Sequence, residues 1–129
     1  MIKIHQKKNA SVMASMKVNK KNVSRWGIYS VKSKLDKNNF IIKGVVEKPD
    51  IKSVPSNNAV IGRYILPKKI FKILEYQKKG KGGEVHITDS IKTLINQNNL
   101  FIGHNFKGKY LDCGTMKGYI NSGLEISKL

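Results

Sequence analysis

The sequence predicts an α/β domain built around a mixed β-sheet. Three observations carry that reading. Short segments of alternating or continuous apolar residues are bounded by turn residues, as strands are. Later in the chain, apolar residues recur at helical spacing, as in Leu66, Ile70, Ile73 and Leu74. The two kinds of segment do not alternate strictly, which argues against a purely parallel, doubly wound sheet.

Each element has its own signal. "MIKIHQKKN" is compatible with a helix but carries no capping residue. In "SVMASMKV", Val12, Ala14, Met16 and Val18 alternate, the period of a strand. "SRWGIYSVK" (24–32) reads as a second strand, "KLDKNN" as a turn, and "FIIKGVV" (40–46) as a third strand. "KPDIKSVPSN" is a loop holding two of the three prolines. "NAVIGRYIL" (58–66) is almost continuously apolar, which predicts a strand buried on both faces. Pro67 suits the first turn of a helix that "GKGG" (80–83) ends. Thr88 or Asp89 is placed to cap the next helix, which turns Ile91, Leu94 and Ile95 to one face. "LFIGHNF" (100–106) is the last strand. A final helix follows Gly114, with Met116, Tyr119, Ile120 and Gly123 on one side.

Composition narrows the function classes. A chain of 129 residues suits one domain, and 40% hydrophobic content is enough for a core. No stretch approaches the ~18 apolar residues of a membrane span, and the N-terminus lacks the apolar core of a signal peptide. Cys113 is the only cysteine, so an internal disulfide is excluded and the cytoplasm is the default location. The net charge of +17 points toward polyanions. Yet 23 of the 25 basic residues are lysine, with only Arg25 and Arg63 besides. Base readers lean on arginine forks and stacking aromatics, so the charge predicts weak, salt-sensitive binding and no specific nucleic acid.

Few residues carry chemistry on local evidence. His5, His86 and His104 are scattered, without the spacing of a zinc site. "KKGKGG" follows a helix and lacks the strand-loop-helix order of a phosphate loop. Asp89 and Asp112 are candidate Mg²⁺ ligands, since that ion takes one or two carboxylates with phosphate oxygens; a helix start and a turn also call for such residues. Glu47 and Lys48 end the third strand beside Pro49, where α/β folds place ligand contacts. Proline biases Lys48 toward an extended backbone. Alternation sends the two side chains to opposite faces unless the strand kinks there.

Five motifs occur in order: "GVVEKP", "PSNNAVIGRYIL", "IFKILE", "GKGGEVHITDSI" and "DCGTMKGY". Together they resemble the C-terminal part of bacterial UTP–glucose-1-phosphate uridylyltransferases, among the sugar-nucleotide pyrophosphorylases. The resemblance runs from about Ile2 to Leu129. Trp26 stands where that family usually has tyrosine, Asn19 where it has proline, and "YLDCG" where "RYDCG" is common.

The resemblance implies the C-terminal part of a Rossmann-like nucleotidyltransferase domain and the conversion of UTP and glucose 1-phosphate to UDP-glucose and pyrophosphate. It implies that Glu47 bonds sugar hydroxyls, that Lys48 holds the sugar phosphate, and that Gly27 in "RWGIYS" approaches the sugar through its backbone. It implies Mg²⁺, held by Asp112 or by Asp89. The family's glycine-rich loop, uridine contacts and second metal aspartate lie in an N-terminal half that these residues do not contain. The expectation is a fragment inactive alone, completed by a separate N-terminal polypeptide or a homo-oligomer, with an open sheet edge prone to association. A truncated product without activity and a basic polyanion-binding module are the alternatives.

Overall fold

The computed structural model describes residues 1–80 and 83–129. Its elements follow the order α1 (Ile2–Lys8), β1 (Ser11–Lys17), a 3₁₀ helix (Lys20–Arg25), β2 (Gly27–Lys34), β3 (Asn39–Glu47), β4 (Asn58–Ile65), α2 (Ile70–Tyr76), α3 (Ile87–Asn96), β5 (Phe101–Asn105) and α4 (Met116–Ile126). Every helix and strand expected from the sequence is present. The 3₁₀ helix was not foreseen, and it moves the start of the second strand from Ser24 to Gly27. Asn19 begins it, its side chain accepting from Lys21 N at 3.0 Å. The expected turn between β2 and β3 is organised by Asp36, whose Oδ1 accepts from Asn38 N at 2.8 Å and Asn39 N at 2.9 Å.

The five strands form one mixed sheet in the order β1-β4-β2-β3-β5, curled into a closed barrel. Only β1 and β5 run parallel; the other pairings are antiparallel. Among the described residues β4 meets β2 at a single pair, Ile28 and Ala59. Beyond that pair, β4 after Ala59 and β2 after Ile28 have no strand partner on this side among the described residues. β4 was expected to be buried on both faces, and it is not: Gly62 and Arg63 are exposed, and Val60, Ile61, Tyr64 and Ile65 are half-buried. It is fully paired only on its β1 edge. β1 is the strand with consecutive residues buried on both faces, Ser11 to Ser15, and β4 and β5 pair with its two edges.

The main core lies between the inner sheet face and the helices α2 and α3. Met13, Tyr29, Phe40, Val45 and Phe101 come from the strands, and Ile70, Ile91 and Leu94 from the helices. A smaller cluster of Val23, Ile28 and Ala59 fills the opposite face. Tyr29 and Ile28 thus face opposite sides, as neighbours on a strand must. The buried Tyr29 hydroxyl donates to Ala14 O at 3.0 Å, and its ring tilts onto Phe40 with centroids 5.9 Å apart. Burial pushes the Tyr29 pKa far above the ordinary phenol range. Helix α3 starts at Ile87, so neither Thr88 nor Asp89 caps it; Thr88 is buried in the first turn and Asp89 follows it. Residues 81–82 of the glycine-rich loop lie outside the described residues.

Gly103 faces Phe40 across the β3–β5 ladder, and a methyl group there would overlap the Phe40 ring. Gly103→Ala is expected to lower stability by about 1–3 kcal/mol, the usual range for overpacking a close-packed core. A urea melt checks this.

Candidate functional site

The third strand places the candidate acid. Phe40 and Ile42 point into the core, so strict alternation would send Val46 inward and Glu47 outward. A register shift prevents this. Ser30 pairs with Gly44 and Val31 with Ile42, which leaves Lys43 as an extra residue on β3. Beyond the bulge Val45 is the core residue, and Glu47 follows two positions later on the same face. Across the ladder Tyr29 pairs with Val45 and Gly27 with Glu47. Gly27 and Glu47 therefore continue the core face past the end of its apolar packing.

Gly27 gives the Glu47 side chain its room. A Cβ at Gly27 would lie 2.9 Å from Glu47 Oε2 and 3.2 Å from Val60 Cγ2. Glu47 also sits close enough to Tyr64 for its charge to act there: burial raises the Tyr64 pKa first, and the Glu47 carboxylate raises it further.

Lys48 corrects the sequence reading. Its φ is +43°, in the left-handed region, where an extended backbone was expected before proline. A non-glycine residue there costs of order 1–3 kcal/mol. Two neighbours hold it: Lys48 N donates to Trp26 O at 3.0 Å, and Pro49 is buried. Val46, Glu47 and Lys48, at the end of β3 and into this kink, line one cleft in succession. Glu47 and Lys48 both line a cavity of about 610 Å³, opposite Thr88, Asp89 and Lys92 at the start of α3. Glu84 and His86, from the segment before α3, complete the wall.

Asp89 lies inside this cleft, with Lys92 Nζ 3.2 Å from its Oδ1. Its position is fixed by the helix, since Asp89 N donates to His86 O at 3.0 Å and Asp89 O accepts from Thr93 Oγ1 at 3.1 Å. The turn before it is braced by Gln77, whose Nε2 donates to His86 O at 2.9 Å. Lys92 was missed from the sequence. Its spacing of three from Asp89 on a helix was the signal that could have found it.

Asp112 occupies a different place. It lines a second cavity of about 420 Å³ with Arg25, Tyr110, Lys117 and Glu125. Its Oδ1 accepts from Gly114 N at 3.0 Å, and its Oδ2 lies 3.9 Å from Arg25. That ion pair is exposed and contributes little to stability. Residues 25–27 link the two cavities. Arg25 faces Asp112; Trp26 packs its ring edge-on against Tyr110, centroids 5.1 Å apart; Gly27 backs Glu47. The role of this tripeptide beyond Gly27 was not legible in the sequence.

Among the described residues no three His, Cys, Asp or Glu side chains cluster as in a protein-built metal centre. Asp89 and Asp112 are hard oxygen donors, one in each cavity. Mg²⁺ commonly takes one or two carboxylates and fills its shell with water and substrate phosphate oxygens. Either aspartate fits as such an anchor when a phosphate substrate brings the remaining ligands.

A family model described as nucleotidyl transferase matches residues 1–128. The chain belongs to this family. Among curated relatives, a UTP–glucose-1-phosphate uridylyltransferase of Pseudomonas aeruginosa is 37% identical over 95% of this chain and 43% of its own length. A UTP–glucose-1-phosphate uridylyltransferase 2 of Streptococcus pyogenes is 38% identical over 94% of this chain and 40% of its own. The chain thus spans less than half the length of these relatives. Two solved structures agree. An apo UDP-glucose pyrophosphorylase superposes with a TM-score of 0.91 at 40% identity, over 99% of this chain and 46% of that one. A UDP-glucose pyrophosphorylase complexed with UDP-glucose gives 0.88 at 40% identity, over 98% and 47%. The nucleotidyltransferase-type mixed sheet expected from the five motifs is the fold observed. Among the described residues, no helix is long and apolar enough to cross a membrane.

The proximity of Glu47 and Tyr64 can be read directly. Glu47→Gln is expected to lower the Tyr64 pKa part of the way toward the ordinary phenol value, since burial still acts on the ring. An NMR pH titration of the Tyr64 ring checks it; no change would separate the two side chains.

Proposed function

We propose that these residues form the sugar-phosphate-holding part of a UTP–glucose-1-phosphate uridylyltransferase. One observation carries the reading: Glu47, backed by Gly27, and Lys48, turned by its left-handed backbone, line one cleft. An acid and a base lining one cleft suit a ligand with hydroxyls at one end and a phosphate at the other. Glu47 accepts hydrogen bonds from the sugar hydroxyls. The Gly27 backbone approaches the ring where a side chain would block it. Lys48 meets the phosphate as a compact point charge. The family membership and the uridylyltransferase relatives support glucose 1-phosphate as that ligand.

In the proposed reaction an oxygen of the sugar phosphate attacks the α-phosphorus of UTP. A new P–O bond forms, the bond to the β-phosphate bridge breaks, and pyrophosphate leaves. Such transfers depend on positioning and charge neutralisation more than on covalent help. Lys48 holds the attacking phosphate in place and offsets its charge. Mg²⁺, anchored by Asp112 or by Asp89, would supply further neutralisation at the phosphates. UTP itself is held by chain outside these residues, whether a preceding segment or a separate polypeptide.

Two outcomes are expected. Lys48→Ala should weaken glucose 1-phosphate binding by about tenfold to a hundredfold, as losing a charge-assisted contact of about 1.5–3 kcal/mol requires. Calorimetry measures this, and an unchanged affinity would remove Lys48 from the site. These 129 residues alone should make no UDP-glucose from UTP, glucose 1-phosphate and Mg²⁺. Turnover by this chain alone would show that it holds the nucleotide as well.

A further inference from the structure

Among the described residues, three buried side-chain polar atoms lack a hydrogen-bond partner in the protein: Ser15 Oγ, Asn58 Oδ1 and Asn105 Oδ1. They sit together. Ser15 pairs with Asn105 across the parallel β1–β5 ladder, and Lys17, two residues on, pairs with Asn58 across the β1–β4 ladder. Paired residues share a sheet face, so all three lie on the face that buries Met13 and Phe101. Burying a polar atom unpaired is costly, and a native structure carries few such atoms. Asn58 and Asn105 line a cavity of about 200 Å³. The orientation of Asn58 is fixed. Ser56 Oγ donates its hydrogen to Tyr29 O at 2.6 Å, so toward Asn58 Nδ2, at 3.3 Å, it accepts. That leaves Asn58 Oδ1 on the side without a partner. Asn105 is held by its backbone, whose N–H donates to Asn38 O at 2.8 Å in the β2–β3 turn.

Charge and size decide what fits. Lys17, Lys34 and Lys37 line the same cavity, with Asp36 as its one acid. Among the described residues none of these three lysines is in an ion pair. The Asp36 carboxylate is taken up by its own turn, accepting from Asn38 N, Asn39 N and Asn39 Nδ2. Three ammoniums against one carboxylate leave two positive charges, which disfavours a cation. A phosphate monoester carries about −1.5 to −2 at pH 7 and matches that balance. The two unpaired amide oxygens are acceptors, and hydroxyl groups are their complement. The cavity is smaller than the roughly 300–1,000 Å³ of pockets for drug-sized ligands, so the carbon chain is short. We propose that this cavity binds a small phosphorylated polyol, its phosphate among Lys17, Lys34 and Lys37 and its hydroxyls donating to Asn58 and Asn105. The site is separate from the cleft of Glu47 and Lys48, with which it shares no residue. β3 starts beside it at Asn39 and reaches Glu47 after eight further residues, up to about 27 Å of strand. The proposal does not rest on the uridylyltransferase reading.

The test titrates these 129 residues with glycerol 3-phosphate and follows the amides by NMR. Saturable shifts are expected at Lys17, Lys34, Asn58 and Asn105, and none at Glu47 or Lys48. Methyl phosphate has the charge without the hydroxyls, and glycerol the hydroxyls without the charge. Each should bind at least about tenfold more weakly. Asn105→Leu removes one unpaired acceptor, so it should weaken glycerol 3-phosphate at least about tenfold and melt no lower than the parent. Lys34→Ala, at an exposed position, should weaken it as well, whereas Lys21→Ala, outside the cavity, should not. Equal binding of methyl phosphate would reduce the cavity to a patch of positive charge and overturn the proposal. So would shifts spread over the lysines of the chain, or parent affinity in either folded variant of Asn105 or Lys34. No saturation by about 10 mM glycerol 3-phosphate would also overturn it, leaving water as the occupant.

Discussion

The site depends on one cross-strand pair. Gly27 faces Glu47 on the sheet face that also buries Tyr29 and Val45. The missing side chain at Gly27 leaves the space that the Glu47 carboxylate occupies. The extra residue at Lys43 decides that Glu47 points to this face at all, because without the bulge the alternation of β3 would turn it away. Pairing, bulge and glycine act together: remove any one and the acid leaves the cleft or loses its room. The strain at Lys48 belongs to the same arrangement. A hydrogen bond to Trp26 and a buried proline hold the backbone in a conformation that its sequence neighbour disfavours, where Lys48 joins Glu47 in lining the cleft.

The second cavity is tied to the first through residues 25–27, and its other wall is α4. Asp112 is set by contacts with both: Arg25 on one side and the first turn of α4 on the other. Glu125 of that helix is ion-paired with Lys109 and Lys128, while its apolar Ile120 and Leu124 are exposed. The buried residues of the main core come from β1, β2, β3, β5, α2 and α3, and none from that helix. The helix packs instead against the loop of Asp112, one of the two aspartates proposed to anchor a metal.

The order of helices and strands could be read from the sequence because it rests on local periodicity. Val12, Ala14 and Met16 mark a strand, and Ile91, Leu94 and Ile95 mark a helix face, whatever surrounds them. Burial was less readable. The continuous apolar run of β4 implied two covered faces, but its residues beyond Ala59 are half-buried or exposed. The motif around Glu47 and Lys48 drew attention to the end of β3 through its resemblance. Why both residues reach one cleft was not legible, because a bulge and a left-handed residue before proline are decided by tertiary contacts. The same holds for Arg25 and Lys92, which are ordinary basic residues in a lysine-rich chain until the fold sets them beside aspartates.

The central claim is that Gly27 and Glu47 together make a sugar-phosphate site. The most direct measurement is an amide NMR titration of the chain and of Gly27→Ala with glucose 1-phosphate. The account predicts saturable shifts at Gly27, Glu47 and Lys48 in the parent, and at least about tenfold weaker binding in the variant with its melt preserved. Equal binding by Gly27→Ala, or shifts that leave these three residues untouched, would contradict it.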